Sequence, residues 1–200
     1  RKDVSTDGRH ANVEFTQDWN EDSLRRDFTI NAIYVDPEGR IFDPTNGVSD
    51  LNKGEIKFIG SAEERIQEDY LRILRYFRFF TQYSKIKHDQ NIIKNIKQKI
   101  NGLNIVSNER IYDELKKILS LKNVYKLFSN HDSKEIFLNI FPSFKYSERL
   151  KVIERPNNKI DNKFDHSLIL AALILDNSKD YEYFCHKYKV SNITKNKFKN

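Results

Sequence analysis

Residues 68–79 repeat with the period of an amphipathic α-helix. At about 100° per residue, Glu68, Arg72 and Arg75 fall on one face of this helix, and Asp69 lies at the border of that face. The opposite face is apolar and consists of Leu71, Leu74 and Phe77. The pattern predicts a helix that packs one side inward and presents carboxylates and guanidiniums on the other.

Asp69 and Arg72 have opposite hydrogen-bonding abilities, because a carboxylate only accepts and a guanidinium only donates. Held side by side, they match the base edge of cytosine and adenine, which carries an exocyclic amine next to a ring-nitrogen acceptor. Uracil and guanine present a carbonyl and a ring N–H there, so both groups would meet the wrong partner, and such mismatches can discriminate strongly. The alternative is a solvated face with an Asp69–Arg72 pair within the helix, worth about 0.2–0.5 kcal/mol.

Strand patterns give way to helical patterns near residue 60, which predicts an α+β fold. Strands are predicted at 11–15, 33–35, 40–42 and 57–59, with a helix from Asp22 to Ile30 and a helical turn at 48–52. The predicted helices that follow are 61–84, 89–101, 107–119, 123–130, 134–139, 167–175 and 179–188. The segment that begins at Ser107 is typical of a helix N-cap rather than of a catalytic group.

Composition and charge limit the classes of function. The last hundred residues hold 18 basic and 12 acidic side chains, which accounts for the whole formal net charge of +6 and is compatible with a polyanion such as RNA. No apolar run is long enough to span a membrane, and the N-terminus lacks the apolar core of a signal peptide. The single cysteine, Cys185, cannot form an internal disulfide, so we expect a reducing compartment, by default the cytoplasm.

Two further clusters precede the helix at 68–79. Residues 25–32 place two guanidiniums, a carboxylate and an amide together, and such groups can bind phosphate oxygens and ribose hydroxyls. The alternative is an exposed, charged helix end. Asp43, Gly47 and Asp50 lie in and beside a loop, for which a plain turn capped by aspartate is the simpler interpretation.

These clusters resemble motifs of the class II tRNA nucleotidyltransferases (CCA-adding enzymes) and bacterial poly(A) polymerases. Residues 25–32, 43–51 and 68–75 resemble motifs B, C and D of that family, and residues 107–111 with Glu114 and Leu115 resemble motif E. Residues 1–11 are similar to the segment before motif B in the CCA-adding members. The resemblance is dense over residues 1–120 and weak over 120–200.

The resemblance implies a truncated nucleotidyltransferase head at 1–60, a nucleotide-selecting helical neck at 61–120, and a helical body at 121–200 that binds RNA and is incomplete. It also implies transfer of CMP and AMP from CTP and ATP to the 3′ end of tRNA. Motif B would contact ribose and triphosphate, motif D would select the base, with Arg75 supporting it or contacting phosphate, and motif C would act as a hinge. The implied nucleotide-binding residues are Arg25, Arg26, Asp27, Asn31, Asp69, Arg72 and Arg75, and the implied hinge residues are Asp43, Gly47 and Asp50.

The family's motif A, an Asp-x-Asp whose carboxylates hold Mg²⁺, has no counterpart in this sequence. We therefore expect no catalytic or metal-binding residue in this chain, and nucleotide binding without turnover unless a fragment with motif A is supplied. A truncated chain, a split gene with a partner fragment, or a decaying locus would each explain this.

Three alternatives to a CCA-adding enzyme remain open from the sequence. A poly(A) polymerase of the same family shares these motifs, a non-catalytic RNA-binding remnant would bind tRNA without turnover, and a purely structural helical domain would not respond to nucleotides. The dipeptides His88-Asp89 and His131-Asp132 are compatible with a metal-dependent phosphohydrolase, but dipeptides this short arise easily by chance, and we interpret the histidines as ordinary residues.

Overall fold

The computed structural model describes residues 2–6, 11–14, 18–153, 165–176 and 178–198, and only the backbone of 2–6 and 11–14. Part of the 1–11 segment, and Phe15 of the first predicted strand, lie outside these residues. The chain divides into two compact units, residues 1–65 with 83–87 and residues 66–82 with 88–200. The predicted division into three parts stays a prediction.

The first unit consists of short strands and helices. β1 (Lys2–Thr6) pairs antiparallel with β2 (Ala11–Glu14), and β3 (Tyr34–Val35) pairs with β4 (Ile41–Phe42). The helices are α1 (Trp19–Leu24) and α2 (Gly47–Lys53), with a 3₁₀ turn at Thr29–Asn31 between them. The predicted strand at 57–59 is wrong as a strand, since only Phe58 forms a bridge, to Phe28.

The predicted helix from Asp22 to Ile30 is also wrong, because α1 ends at Leu24. The Asp27 carboxylate accepts a hydrogen bond from the backbone N–H of Phe28 at 3.1 Å, and Phe28 is extended. Aspartate side chains that bond to nearby backbone groups compete with helix formation in this way. The chain therefore leaves the helix at the start of the predicted phosphate-binding cluster.

The second unit is helical. Its helices are α3 (Ala62–Glu68, which begins in the first unit), α4 (Arg72–Tyr83), α5 (Gln90–Lys99), α6 (Asn108–Leu119), α7 (Val124–Ser129), α8 (His131–Ile140), α9 (Leu150–Ile153), α10 (His166–Ile174), α11 (Asp180–Lys187) and α12 (Asn192–Lys197). Further 3₁₀ turns lie at Ile100–Ile105 and Ser147–Arg149. None of the described helices is long and apolar enough to cross a lipid bilayer.

The predicted helix at 61–84 is two helices, broken at residues 69–71. Asp69 accounts for the break: its carboxylate accepts from the N–H of Leu71 at 3.1 Å and its carbonyl from the N–H of Arg72 at 2.9 Å, so it caps α4. The predicted apolar face is confirmed, since Leu71, Leu74 and Phe77 are all buried. The Phe77 ring packs edge-on against Phe137 of α8 at 5.3 Å in the core of this unit.

Candidate functional site

Asp69 stands at the start of α4 with both carboxylate oxygens engaged. Oδ1 accepts from the Leu71 N–H, and Oδ2 accepts from Nη2 of Arg110 at 2.8 Å. A carboxylate offers about four acceptor positions, so Asp69 can accept further hydrogen bonds while these two hold its plane. The Tyr70 ring packs against Gly102, where an added Cβ would lie 2.1 Å from a ring carbon. The turn that carries Asp69 is therefore fixed from two sides.

Arg72 lies three positions after Asp69 and pairs with Glu68 rather than with the Asp69 side chain. Its Nη1 donates to Oε2 of Glu68 at 2.5 Å. The Arg75 guanidinium lies 5.6 Å from the centre of the Phe79 ring. The structure thus gives motif D an ordered carboxylate and an ordered guanidinium three positions apart, each oriented by a different partner.

Because it bonds to Asp69, Arg110 is a candidate site residue, and sequence reasoning missed it. Ser107 caps α6 and accepts from the Arg110 N–H at 3.4 Å, so the predicted cap is confirmed and it places Arg110 in the first turn. The contact with Asp69 spans 41 positions. No periodicity detects a pair that distant, and the only available signal was an arginine within the motif E resemblance.

A buried ion pair joins α4 to α6 two turns further along. Arg78 donates to Glu114, whose side chain is 2% exposed, and Lys117 reaches the same carboxylate at 3.1 Å. Glu114 belongs to the segment that resembles motif E. Motif D and the rest of α4 are therefore joined to motif E twice, at Asp69–Arg110 and at Arg78–Glu114.

In the first unit, Asp22 gathers the two predicted phosphate-binding arginines. Arg25 Nε donates to its Oδ1 at 2.7 Å, Arg26 Nη2 to its Oδ2 at 2.9 Å, and the Tyr34 hydroxyl to Oδ2 at 2.8 Å. Burial alone would raise the pKa of Asp22, but the hydrogen bonds from Tyr34, Arg26 and Arg25 outweigh it and hold that pKa well below its usual range. Asp22 therefore stays charged and aligns both guanidiniums.

Asp27 and Asn31 are brought together as a pair. The Asn31 side-chain amide donates to Oδ1 of Asp27 at 2.8 Å, and Asp27 is buried. The Asp27 carbonyl also accepts from the N–H of Ile59 at 3.0 Å. The predicted ribose-binding groups thus belong to a rigid buried turn.

The predicted hinge residues hold α2 against that turn. Asp43 accepts from the N–H groups of Gly47 and Val48 at 2.7 and 2.9 Å and so caps the start of α2. This agrees with the interpretation of the loop as a turn capped by aspartate. Asp50, which is buried, accepts from the Thr29 hydroxyl at 2.8 Å. A Cβ on Gly47 would lie 2.2 Å from the Thr29 carbonyl oxygen, so only glycine permits this approach.

A magnesium site needs carboxylate oxygens that are available to a small, hard cation. Within the described ranges, the one group of three possible ligands is His131, Asp132 and Glu135, in the first turns of α8. Lys97 bonds both carboxylates, at 3.2 and 2.8 Å. The Lys97 ammonium already bonds to both carboxylates, and His131 would offer a nitrogen rather than an oxygen ligand. These residues therefore do not fit Mg²⁺.

Two family descriptions match the sequence. Residues 1–57 match the family described as "Poly A polymerase head domain", and residues 87–147 match "Probable RNA and SrmB- binding site of polymerase A". The first match contains the predicted motifs B and C, and the second contains Arg110 and Glu114.

Curated relatives are similar over much of the chain. The human mitochondrial CCA tRNA nucleotidyltransferase 1 is 52% identical over 124 residues, which cover 60% of this chain and 28% of the relative. The CCA-adding enzyme of Staphylococcus epidermidis is 34% identical over 174 residues, 87% of this chain and 42% of that enzyme. The chain thus spans less than half the length of these relatives.

Solved structures share the fold. The Bacillus stearothermophilus CCA-adding enzyme in complex with CTP superposes with a TM-score of 0.70 at 24% identity, over 92% of this chain and 46% of that one. The Thermotoga maritima CCA-adding enzyme complexed with tRNA gives 0.66 at 21% identity, over 90% and 47%. The predicted α+β class, with a partial head followed by helices, is confirmed. By its motifs, its relatives and its fold, the chain belongs to the class II nucleotidyltransferase family of CCA-adding enzymes and poly(A) polymerases.

Proposed function

We propose that this chain carries the nucleotide-selecting and tRNA-binding part of a CCA-adding enzyme, which transfers CMP and AMP from CTP and ATP to the 3′ end of tRNA. The observation that carries the proposal is the orientation of Asp69 by Arg110 and by the Leu71 N–H. A carboxylate held in one plane presents acceptors in fixed directions, as reading a base edge requires. The similarity to enzymes named for CCA addition supports the reaction.

Asp69 and Arg72 select the base. The Asp69 carboxylate accepts from the exocyclic amine of cytosine or adenine, and the Arg72 guanidinium donates to the neighbouring ring nitrogen. With uracil or guanine, the Asp69 carboxylate faces a carbonyl acceptor and the Arg72 guanidinium faces a ring N–H donor. Each unmatched group costs about 1–3 kcal/mol.

Arg25, Arg26, Asp27 and Asn31 bind the triphosphate and the ribose. Asp22 aligns both guanidiniums in the nucleotide-free chain. The guanidinium N–H groups that do not bond to Asp22 donate to phosphate oxygens, which arginine binds bidentately. Arg75 supports Arg72 or contacts phosphate. Asp43, Gly47 and Asp50 act as the hinge: because they hold α2 to Thr29, a movement of α2 also moves the turn that carries Asn31.

Nucleotide affinity tests the proposal directly. We expect the chain to bind CTP and ATP at least about thirtyfold more tightly than UTP, since two unmatched groups at about 1–3 kcal/mol each cost at least about 2 kcal/mol. Arg72→Ala should weaken that preference, because only Asp69 then reads the base, while the chain stays folded. Arg40→Ala serves as the control, since Arg40 is an exposed arginine paired only with its neighbours Asp36 and Glu38 among the described residues. Equal affinity of the wild type for CTP and UTP would refute the proposal.

Catalysis by these 200 residues alone is not expected. Metal-assisted transfer requires carboxylates of the Asp-x-Asp type, which the sequence does not contain. We infer that Mg²⁺ is bound by residues supplied from outside this sequence, on the same polypeptide or on a second one. Transfer from labelled CTP to tRNA should therefore appear only when a segment bearing Asp-x-Asp is supplied, and transfer without it would contradict the inference.

A poly(A) polymerase is the second candidate, favoured by the names of both matching families. The two activities differ in the nucleotides that they use. With the missing segment supplied, a CCA-adding enzyme incorporates CMP and AMP in a defined number, whereas a poly(A) polymerase extends with ATP alone. The compartment stays a prediction: the sequence favours the cytoplasm, while the matching relatives from mouse and human are mitochondrial by name.

A further inference from the structure

In the first unit, the segment before α3 runs along the predicted phosphate-binding cluster and holds its backbone. The N–H of Thr29 donates to the carbonyl of Lys57 at 3.0 Å, and the N–H of Ile59 donates to the carbonyl of Asp27 at 3.0 Å. Gly60 then takes a φ of +79°, and α3 begins two residues later. Among the described backbone bonds, this row therefore stops just short of the two arginines of the cluster.

Arg65 of α3 continues the row with its side chain. Its Nη2 donates to the carbonyl of Leu24 at 2.9 Å and also to the carbonyl of Arg26. Leu24 is the last residue of α1, and the carbonyls at a helix end have no N–H partner within the helix. Arg65 is buried, so these bonds are shielded from water. Its guanidinium thus holds the peptide groups immediately before Arg25 and immediately after Arg26.

A long side chain presents its donors in one direction only if both of its ends are held. Asp22 holds the guanidinium ends of Arg25 and Arg26, and Arg65 holds their backbone ends. The side chains of Arg25 and Arg26 remain 38% and 39% exposed, so a ligand can reach them. Arginine binds phosphate bidentately through a planar group, and such bonds depend on the direction in which that plane points.

We propose that Arg65 is a positioning residue for the triphosphate of the nucleotide, on which it acts through Arg25 and Arg26. The inference rests on the proposed function, which assigns these two arginines to the triphosphate, and adds the residue that sets their backbone. Its effect is confined to the phosphate part of the nucleotide, because base selection belongs to Asp69 and Arg72. A lysine in place of Arg65 keeps the charge but is a flexible point donor, so it holds two carbonyls less firmly.

The test compares the affinity of the chain for CTP with its affinity for cytidine, which lacks the phosphates. The ratio of the two affinities measures what the triphosphate contributes, whereas a general loss of structure would lower both alike. In Arg65→Gln we expect this ratio to fall about tenfold, the equivalent of one charge-assisted hydrogen bond. In Arg65→Lys it should fall about threefold, because the charge and part of the bonding remain.

Arg149→Gln is the matched control. Arg149 also donates from a single nitrogen, Nη1, to two main-chain carbonyls at a helix end, those of Ala172 and Leu175 at 3.4 and 2.6 Å, but it lies in the second unit. Its loss should leave the ratio of CTP to cytidine affinity unchanged. An equal fall in Arg149→Gln and Arg65→Gln would show a general effect on folding and overturn the proposal.

A combined variant shows whether Arg65 acts through the two arginines. Once Arg25→Ala and Arg26→Ala are both present, adding Arg65→Gln should change the ratio no further, because non-additivity marks residues that act together. A further loss of about tenfold there would overturn the proposal. If Arg65→Gln does not fold, as judged by circular dichroism, Arg65→Lys carries the test, and an unchanged ratio in that variant overturns the proposal.

The outcomes also separate this inference from the proposed function. If the wild type binds CTP and cytidine equally, the arginines do not bind the triphosphate and both proposals fail. If the wild type favours CTP and Arg65→Gln favours it to the same extent, only the role of Arg65 is wrong. The preference for CTP over UTP should persist in Arg65→Gln, and its loss would assign Arg65 to base selection instead of the triphosphate.

Discussion

Arg110 donates a hydrogen bond to Asp69 at 2.8 Å across 41 positions of sequence. The bond joins the first turn of α6 to the residue that caps α4, where the Leu71 N–H holds the other carboxylate oxygen. The plane of the Asp69 carboxylate is set by these two partners, which suits the proposed role of Asp69 in reading the base. We therefore propose that Arg110 is a positioning residue, which acts on the nucleotide through Asp69.

Removing Arg110 should loosen base selection without unfolding the chain. In Arg110→Ala we expect the preference for CTP over UTP to fall about tenfold, since one charge-assisted hydrogen bond is worth about 1.5–3 kcal/mol at most, and part of it is lost to solvent at this exposed pair. Titration with each nucleotide measures the change. Arg110→Lys should restore part of the preference, and an unaltered preference in Arg110→Ala would show that Asp69 needs no such support.

Gly47→Ala should destabilise the first unit strongly. The new methyl group would overlap the Thr29 carbonyl oxygen and carbon, both backbone atoms, at 2.2 and 2.7 Å. We expect a loss of about 2 kcal/mol or more, as for other overpacked sites, in urea unfolding. Gly39→Ala is the comparison, because nothing lies within 4 Å of its Cβ position and only its φ of +83° opposes the change, at a cost of about 1 kcal/mol. A smaller loss at Gly47 than at Gly39 would contradict the close approach of α2 to Thr29.

His88 should make stability depend on pH in mildly acidic solution. Its ring bonds the Tyr76 hydroxyl at 3.0 Å and the Ser133 hydroxyl at 2.7 Å, and it stacks on Phe80 at 3.6 Å. Burial lowers the pKa of His88 from 6.5 to about 4, against a small opposing effect of Asp132. Between those pH values the unfolded chain binds a proton that the native chain does not, so stability falls as pH drops through this window.

The loss at His88 should be on the order of 2 kcal/mol between pH 6.5 and 4, somewhat below the full value of the shift in pKa. Chemical denaturation at a series of pH values measures it. His88→Gln is less stable at neutral pH but should lack this part of the slope. If the stability of His88→Gln depended on pH as steeply as that of the wild type, a group other than His88 would bind the proton.

Removing one partner of the buried pair of Arg78 and Glu114 should destabilise the chain strongly, whereas replacing both by apolar residues should not. Glu114→Gln leaves the Arg78 charge without its carboxylate, and we expect a loss of about 3 kcal/mol. Replacing both residues, as Arg78→Met with Glu114→Leu, should be far less destabilising because no charge is then left buried. Thermal unfolding compares them, with Glu148→Gln at an exposed pair as the control. Equal losses in the single and double variants would mean that packing, not charge, is what Glu114 provides.

The sequence predicted what depends on local pattern. The apolar face of Leu71, Leu74 and Phe77, the hairpin between Tyr34 and Phe42, and the cap at Ser107 each depend on residues a few positions apart. The resemblance located motifs B to E, and the relatives confirm the family.

Tertiary contacts explain what the sequence did not predict. The break at Asp69 was missed because the helical period continues through it, while a side-chain cap interrupts the backbone bonds. The partner of Asp69 was missed because it comes from a helix 41 positions away. The early end of α1 has a similar origin, in the bond between the Asp27 carboxylate and its own following N–H.

The most direct test of the central claim removes the group that Asp69 is proposed to read. Affinity is measured for CTP and for the analogue that lacks only the 4-amino group, 2-pyrimidinone riboside triphosphate, in the wild type and in Asp69→Ala. If Asp69 accepts from that amine, the analogue binds the wild type about tenfold or more weakly than CTP, and Asp69→Ala binds the two nucleotides equally. A loss of the same size in both proteins would contradict the claim that Asp69 reads the base.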